Sequence, residues 1–234
     1  MEVTSVARTI KVGLIDSALS TECSSQFSGY QSAIFNPAVG GDAPLHGSAV
    51  CSPWCQMGEH IELYNAVLFD DSLRCQQAHL IAALNWLLTS DVETVHMSLG
   101  LRQPSDELVD ICQQLVAKGT LLVASAPAQG DAVYPASFFG VISASGDARC
   151  QPGQLSQLNP DGASGPQFGG CVFSSLHPLR GASIGAGAVT AELLQQQIRQ
   201  AKPLSCADAI KLLAAQADYR GREQRDPAST GGVS

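Results

Sequence analysis

The stretch VETVHMSLGLRQPSDELVDICQQLVAKGTLLVASA, residues 92–126, decides the fold because it joins two apolar runs through a helix. The runs at 92–99 and 120–126 have the length and apolar character of strands buried in a parallel sheet. Between them, residues 104–119 begin with a Pro-Ser pair and two acidic residues, which suit a helix N-terminus, and end at Lys118–Gly119. A strand, a helix and a second strand in this order predict a parallel crossover unit.

The same alternation continues on both sides of this unit. We expect strands at 9–16, 60–69 and 139–146, and helices at 75–88, 181–200 and 205–217. The predicted fold class is α/β: a three-layer sandwich with a central, mostly parallel sheet flanked by helices. A chain of 234 residues suits one such domain, which we place at 9–219, with an N-terminal extension at 1–8 and a flexible tail at 220–234.

Composition excludes several classes of function. The net charge of −8 argues against a nucleic-acid binder and gives no attraction to anionic membranes. No apolar run approaches the roughly 18 residues that a membrane span needs. The N-terminus lacks the pattern of a secretory signal, so we expect the eight cysteines to be free thiols and the protein to be cytoplasmic.

Three short motifs carry the residue types of nucleophilic acyl transfer. Asp16 ends a predicted strand in VGLIDSA, His46 lies in PLHGSAV, and Ser183 lies in RGASIGAGAV at the head of a predicted helix. A carboxylate that fixes an imidazole, which in turn takes a proton from a hydroxyl, is the arrangement of a serine nucleophile. Each motif alone has a plainer interpretation as a strand-end turn, a loop or a closely packed helix. Their order along the chain favours the catalytic interpretation.

In that order the chain resembles a subtilisin-like serine peptidase (subtilase). VGLIDSA, HGSAV and GASIGAGAV resemble the family's Asp, His and Ser motifs, and VHMSLG resembles the strand that pairs with the substrate backbone. The stretch LLVASAPAQG resembles the oxyanion loop with its pocket wall, and the similarity covers roughly residues 9–215.

The resemblance implies roles for individual residues. Asp16 would orient His46, His46 would be the general base and acid, and Ser183 would be the nucleophile. The implied substrate-binding residues are Ser98, Leu99, Gly100, Ser125, Ala126 and Pro127. We expect a peptide or protein substrate, no cofactor and no metal.

The oxyanion loop departs from the family's pattern. Pro127 stands at the usual Gly and Ala128 at the usual Asn, so the loop lacks the side-chain donor that stabilises the tetrahedral intermediate. Gln129 is the adjacent amide and a candidate substitute donor. Gly187 replaces the Pro that normally follows the nucleophile.

The leading hypothesis is a serine endopeptidase that cleaves an extended peptide through an acyl-enzyme on Ser183, as a dedicated processing enzyme such as one for precursor-peptide maturation. A catalytically silent pseudo-peptidase that binds a peptide or protein is the first alternative. A transpeptidase or cyclase that uses the same triad is the second. Cys51 and Cys55 in CSPWC are interpreted as packing residues or neighbours of another thiol, and His177 as a candidate substrate contact.

Replacing Ala128 by Asn tests whether the missing donor limits the reaction. If it does, Ala128→Asn should raise kcat on a peptide substrate by about ten-fold or more, because a second oxyanion donor is restored. If Gln129 or another group already fills the role, kcat stays flat or falls.

Overall fold

Nine strands form the sheet on which the rest of the fold is built. A computed structural model describes residues 8–39, 45–69, 74–160, 165–174, 178–200 and 202–223. Within these ranges the strands are β1 Ile10–Ser17, β2 Gly29–Ile34, β3 Ile61–Phe69, β4 Thr94–Met97, β5 Leu121–Ser125, β6 Val141–Asp147, β7 Leu155–Gln157, β8 Phe168–Cys171 and β9 Tyr219–Arg220. Their order across the sheet is β2-β3-β1-β4-β5-β6-β8-β7-β9. All neighbours are parallel except β7 and β8, which are antiparallel.

Helices cover both faces of the sheet. They are α1 Thr21–Ser24, α2 His46–Cys51, α3 Gln77–Thr89, α4 Asp106–Ala117, α5 Ala182–Arg199 and α6 Cys206–Gln216, with a 3₁₀ segment at Ser52–His60. α3 and α4 pack on one face, whereas α2, α5 and α6 pack on the other. Within the part of the chain that the structure describes, no helix is both long and apolar enough to cross a bilayer. The predicted α/β three-layer sandwich with a mostly parallel sheet is confirmed.

Side-chain caps begin two of the predicted helices. The Ser105 hydroxyl accepts a hydrogen bond from Leu108 N at 3.3 Å, and the Ser205 hydroxyl accepts one from Asp208 N at 3.2 Å. Each cap satisfies a backbone donor that the first turn leaves without a helical partner, an effect worth about 1 kcal/mol.

Four strands were not expected from the sequence. The edge strand β2 is mostly exposed and therefore has no buried apolar run, and β8 contains Gly169 and Gly170. The short strands β7 and β9 pair with each other, so Arg220, which the sequence places in the tail, lies in the sheet. The rest of that predicted tail from 224 onward, and residues 1–7, lie outside the described residues.

Two glycines of α5 let this helix approach its neighbours closely. A Cβ at Gly185 would lie 2.3 Å from Gly146 Cα of β6, and one at Gly187 would lie 2.3 Å from the Val50 carbonyl oxygen of α2. Residues four apart lie on the same face of a helix, so Val50 lies one turn beyond His46 and Gly187 one turn beyond Ser183. The Gly187 contact therefore brings together the faces of α2 and α5 that carry these two residues.

Gly187→Ala tests this close approach. In an unobstructed helix the change would stabilise the protein by up to about 1 kcal/mol, because Ala is the better helix former. Here we expect the free energy of unfolding to fall by about 1–3 kcal/mol, since the new methyl group must displace backbone. Urea denaturation measures the change, and its sign decides: a stabilised variant would contradict the packing described here.

Candidate active site

Asp16 and His46 form a hydrogen-bonded pair at the carboxyl end of β1. His46 Nδ1 lies 2.8 Å from Asp16 Oδ1, and the Ser17 amide also donates to that oxygen at 2.6 Å. The Asp16 side chain is fully buried and that of His46 is 18% exposed. Asp16 Oδ2 has no hydrogen-bond partner among the described residues, so the imidazole and one amide carry most of the stabilisation of this carboxylate.

Local hydrogen bonds hold the first turn of α2 against the end of β1. The Gly47 amide donates to Ser17 Oγ at 2.9 Å, and the Ser20 amide donates to Ser48 Oγ at 2.9 Å. These bonds join the residues next to His46 with those that follow Asp16. The pair is therefore positioned by its own chain neighbours as well as by the sheet.

The environment of His46 acts on its pKa in two opposite directions. Burial lowers the pKa of His46, because it disfavours the charged imidazolium. The hydrogen bond that His46 donates to Asp16 and the negative charge of Asp16 raise the pKa of His46, and the net result is a pKa above the ordinary 6.5. Asp16 thus makes His46 a better proton acceptor than its burial alone would allow.

Ser183 lies in the first turn of α5, half-buried, on the side of the sheet that carries Asp16 and His46. Its backbone N–H belongs to the first turn, where amides have no helical acceptor. Its Oγ lies 3.5 Å from Ser125 Oγ at the end of β5. Between His46 and Ser183, both of which are described, the structure records no hydrogen bond. The structure therefore joins Asp16 to His46 and places Ser183 beside Ser125.

His96 is a second buried histidine under this site. Its hydrogen bonds could not be predicted from the sequence. It is fully buried on β4, with Nδ1 2.8 Å from Thr190 Oγ1 and Nε2 3.1 Å from Ser98 Oγ. The Thr190 hydroxyl donates to Ala186 O at 3.0 Å, which assigns the imidazole proton to Nδ1 and makes Nε2 the acceptor of the Ser98 hydroxyl. His96 thus links α5 to the segment after β4.

Burial also keeps His96 uncharged. Burial lowers the pKa of His96 to about 4; the charge of Asp16 opposes this effect and that of His46 adds to it. At neutral pH His96 therefore serves as a neutral hydrogen-bonding group, whereas His46 is the histidine of the site that can take up a proton.

The predicted oxyanion loop borders two cavities. One of about 100 Å³ is lined by Ala126 and Pro127 together with residues 128–133. The other, of about 430 Å³, is lined by Ala128 and Gln129 with Gly146, Asp147, Leu158 and Arg222, among others. Ala128 and Gln129 are both exposed.

The other predicted wall, Ser98–Gly100, continues from β4. Its amide at Ser98 donates to Ile15 O at 3.2 Å, and Gly100 packs against Val133. His177, the further candidate for substrate contact, lies outside the described residues.

Three thiols cluster next to α2. Cys23 Sγ lies 3.4 Å from Cys51 Sγ and 3.8 Å from Cys55 Sγ, and none of the eight cysteines, all of which lie in the described ranges, forms a disulfide. Burial and the neighbouring Cys23 raise the pKa of Cys51, so this thiol stays protonated and packs as a small apolar group. Among the described residues, no group of three or more His, Cys, Asp or Glu side chains is arranged to hold a metal ion.

Comparisons with known proteins bear on the fold. No protein-family model matches the chain, and no curated protein matches it significantly. Among solved structures, it is similar to the prenylagaramide maturation protease PagA, with 18% identity, a TM-score of 0.60 and coverage of 91% of this chain and 83% of that one. A lanthipeptide protease matches with 14% identity, a TM-score of 0.62 and coverage of 87% and 78%.

A third similar structure is a mutant of the protease domain of PatA. It has 17% identity, a TM-score of 0.64 and coverage of 90% of this chain and 87% of that domain. At these identities the likeness concerns the fold. The subtilisin-like fold expected from the motifs is confirmed.

The two opposing effects on His46 make a measurable prediction. In the wild type we expect NMR titration to give His46 a pKa above 6.5, because Asp16 outweighs burial. In Asp16→Asn, burial remains while the charge is lost, so the pKa of His46 should fall below that of the wild type and below 6.5. His96 serves as an internal control that stays neutral near pH 7 in both proteins. An unchanged His46 pKa in Asp16→Asn would contradict the pairing.

Proposed function

We propose that this protein is a serine peptidase that cleaves an extended peptide through an acyl-enzyme on Ser183. The observation that carries the proposal is the 2.8 Å contact between His46 Nδ1 and buried Asp16, in a fold shared with three proteases. Ser183 is the nucleophile of the proposal because it lies in the first turn of α5, the helix that packs on α2.

In the proposed reaction His46 moves protons in both directions. Its Nε2 accepts the Ser183 hydroxyl proton while Ser183 Oγ attacks the peptide carbonyl carbon. The imidazolium, stabilised by Asp16, then protonates the leaving amine as the C–N bond breaks. Water attacks the acyl-enzyme in the reverse sense, giving up a proton to His46 and releasing the acid and Ser183. The raised pKa of His46 supports its role as the acceptor.

Substrate would lie between the ends of β4 and β5. In the proposal an extended segment pairs with the backbone of Ser98–Gly100 on one side and of Ser125–Pro127 on the other. One of its side chains enters the cavity of about 100 Å³ beside Ala126, which has room for a small residue. In the proposal a larger part of the peptide binds in the cavity of about 430 Å³ next to Gln129.

The substrate class we propose is a precursor peptide that this enzyme trims or matures. Two of the similar structures support it, since one is a maturation protease and another a lanthipeptide protease. Resolution of the acyl-enzyme by an amine in place of water would make the same site a transpeptidase or cyclase, and product mass separates the two. The cytoplasmic location and the domain limits stay predictions.

A second candidate function is a pseudo-peptidase that binds a peptide without cutting it. Ala128 at the oxyanion position and the absence of a recorded hydrogen bond between His46 and Ser183, both described residues, favour this candidate. The two functions differ in whether Ser183 Oγ can be made nucleophilic.

Labelling with a fluorophosphonate probe separates the two candidates. In a peptidase, Ser183 Oγ attacks phosphorus, fluoride leaves, and His46 takes the hydroxyl proton, so the intact mass rises by one phosphonyl group. We expect labelling of the wild type and none of Ser183→Ala or His46→Ala. Ser145→Ala is the matched control, because Ser145 is also a serine but is fully buried on β6, the strand next to β5. A folded wild type that stays unlabelled at neutral and mildly alkaline pH would support the pseudo-peptidase.

A further inference from the structure

We propose that the Ser125 hydroxyl supplies the oxyanion hydrogen bond that Ala128 lacks; this inference rests on the proposed peptidase function. The sequence resemblance implies only a place in the pocket wall for Ser125. In the structure its Oγ lies 3.5 Å from Ser183 Oγ. The reaction therefore has a hydroxyl donor next to the nucleophile.

The direction of the Ser125 side chain follows from the strand that carries it. Successive side chains of a strand point to opposite faces, so Leu121, Val123 and Ser125 share one face of β5. Leu121 and Val123 pack in the cluster that contains α5 residues. Ser125 is therefore aimed at the head of α5 by its place in β5.

The distance suits a donor to the reacting carbonyl oxygen. In the tetrahedral intermediate this oxygen is bonded to the same carbon as Ser183 Oγ, so a group near Oγ is also near the oxyanion. A donor must come to about 2.7–3.1 Å from the oxyanion. A hydroxyl at 3.5 Å from Ser183 Oγ reaches that range by rotation about its Cα–Cβ bond and a small shift.

Two donors would then stabilise the oxyanion. The first is the Ser183 backbone N–H at the positive end of α5. The second is the Ser125 O–H, which donates a hydrogen bond without losing its proton, so the proton balance of the proposed reaction is unchanged. Ser125 is only 6% exposed, and a hydrogen bond to charge is stronger at a site that excludes water.

Ser125 is held more firmly than the competing donor Gln129. Ser125 pairs with Ala144 in the sheet, and the next amide, Ala126 N, donates to Ala144 O at 2.8 Å. Gln129 is exposed on the loop that follows and has a longer side chain to immobilise. Because oxyanion stabilisation depends on donors already in place, the strand-borne hydroxyl is the better candidate.

The second-order rate constant of fluorophosphonate labelling tests the proposal, since the phosphoryl oxygen occupies the oxyanion position during attack. We expect Ser125→Ala to lower this constant by about 100-fold, the usual effect of removing one oxyanion donor. Gln129→Ala should lower the constant far less than Ser125→Ala does, and the control Ser145→Ala should label like the wild type. Ser125→Ala combined with Ala128→Asn should recover about ten-fold or more, because the Asn amide replaces the lost donor.

A second pair of variants separates loss of the hydroxyl donor from loss of folding stability. Ser125→Thr and Ser125→Val have nearly the same shape and differ in a hydroxyl against a methyl group. We expect the Thr variant to label faster than the Val variant at equal thermal stability, because only Thr retains the donor.

The outcomes separate this inference from the function on which it rests. Ser125→Ala that labels like the wild type overturns the Ser125 role and leaves the peptidase intact. If the labelling rate falls in Gln129→Ala but not in Ser125→Ala, the donor is Gln129, and the proposed role of Ser125 is overturned. A slow Ser125→Ala variant that Ala128→Asn does not rescue makes Ser125 a positioning residue for Ser183 instead. A wild type without labelling ends the peptidase proposal, and the role of Ser125 with it.

Discussion

The close approach of α5 to α2 is the constraint on which the site depends. The absence of a side chain at Gly187 lets the Val50 carbonyl oxygen occupy the space where a Cβ would lie, 2.3 Å away. The Trp54 indole N–H reinforces the contact by donating to Gly187 O at 2.9 Å. Because this contact lies one turn from both His46 and Ser183, it sets how near Ser183, the proposed nucleophile, can come to His46, the proposed base.

The polar groups of the site divide into two electrostatic roles. His46 is paired with the buried charge of Asp16, which raises its pKa and suits it to proton transfer. His96 is fully buried without such a direct partner and stays neutral, so it acts as a fixed bridge between Ser98 and Thr190. Two histidines on one face of the sheet thus behave differently because only one of them touches a carboxylate.

The sequence predicted elements whose signals are local and missed those whose form depends on neighbours. Apolar runs and serine caps predicted β1, β3 to β6 and the longer helices, because both signals depend on residues that are close together in the sequence. The edge strand β2 was missed because most of its side chains face solvent. The orientation of Ser125 toward Ser183 was also missed, although the alternation Leu121, Val123, Ser125 carries it once the face that binds α5 is known. Motifs could identify Asp16, His46 and Ser183, but only coordinates could show which of them touch.

A crystal structure with a peptide aldehyde bound would show whether Ser183 reacts with the carbonyl carbon while His46, held by Asp16, lies beside it. We expect a covalent hemiacetal on Ser183 Oγ, with His46 Nε2 within hydrogen-bond distance of it and His46 Nδ1 still hydrogen-bonded to Asp16. The hemiacetal oxygen should lie about 2.7–3.1 Å from Ser125 Oγ and from the Ser183 amide. An aldehyde held without a bond to Ser183, with the His46 imidazole turned away from that hydroxyl, would contradict this expectation.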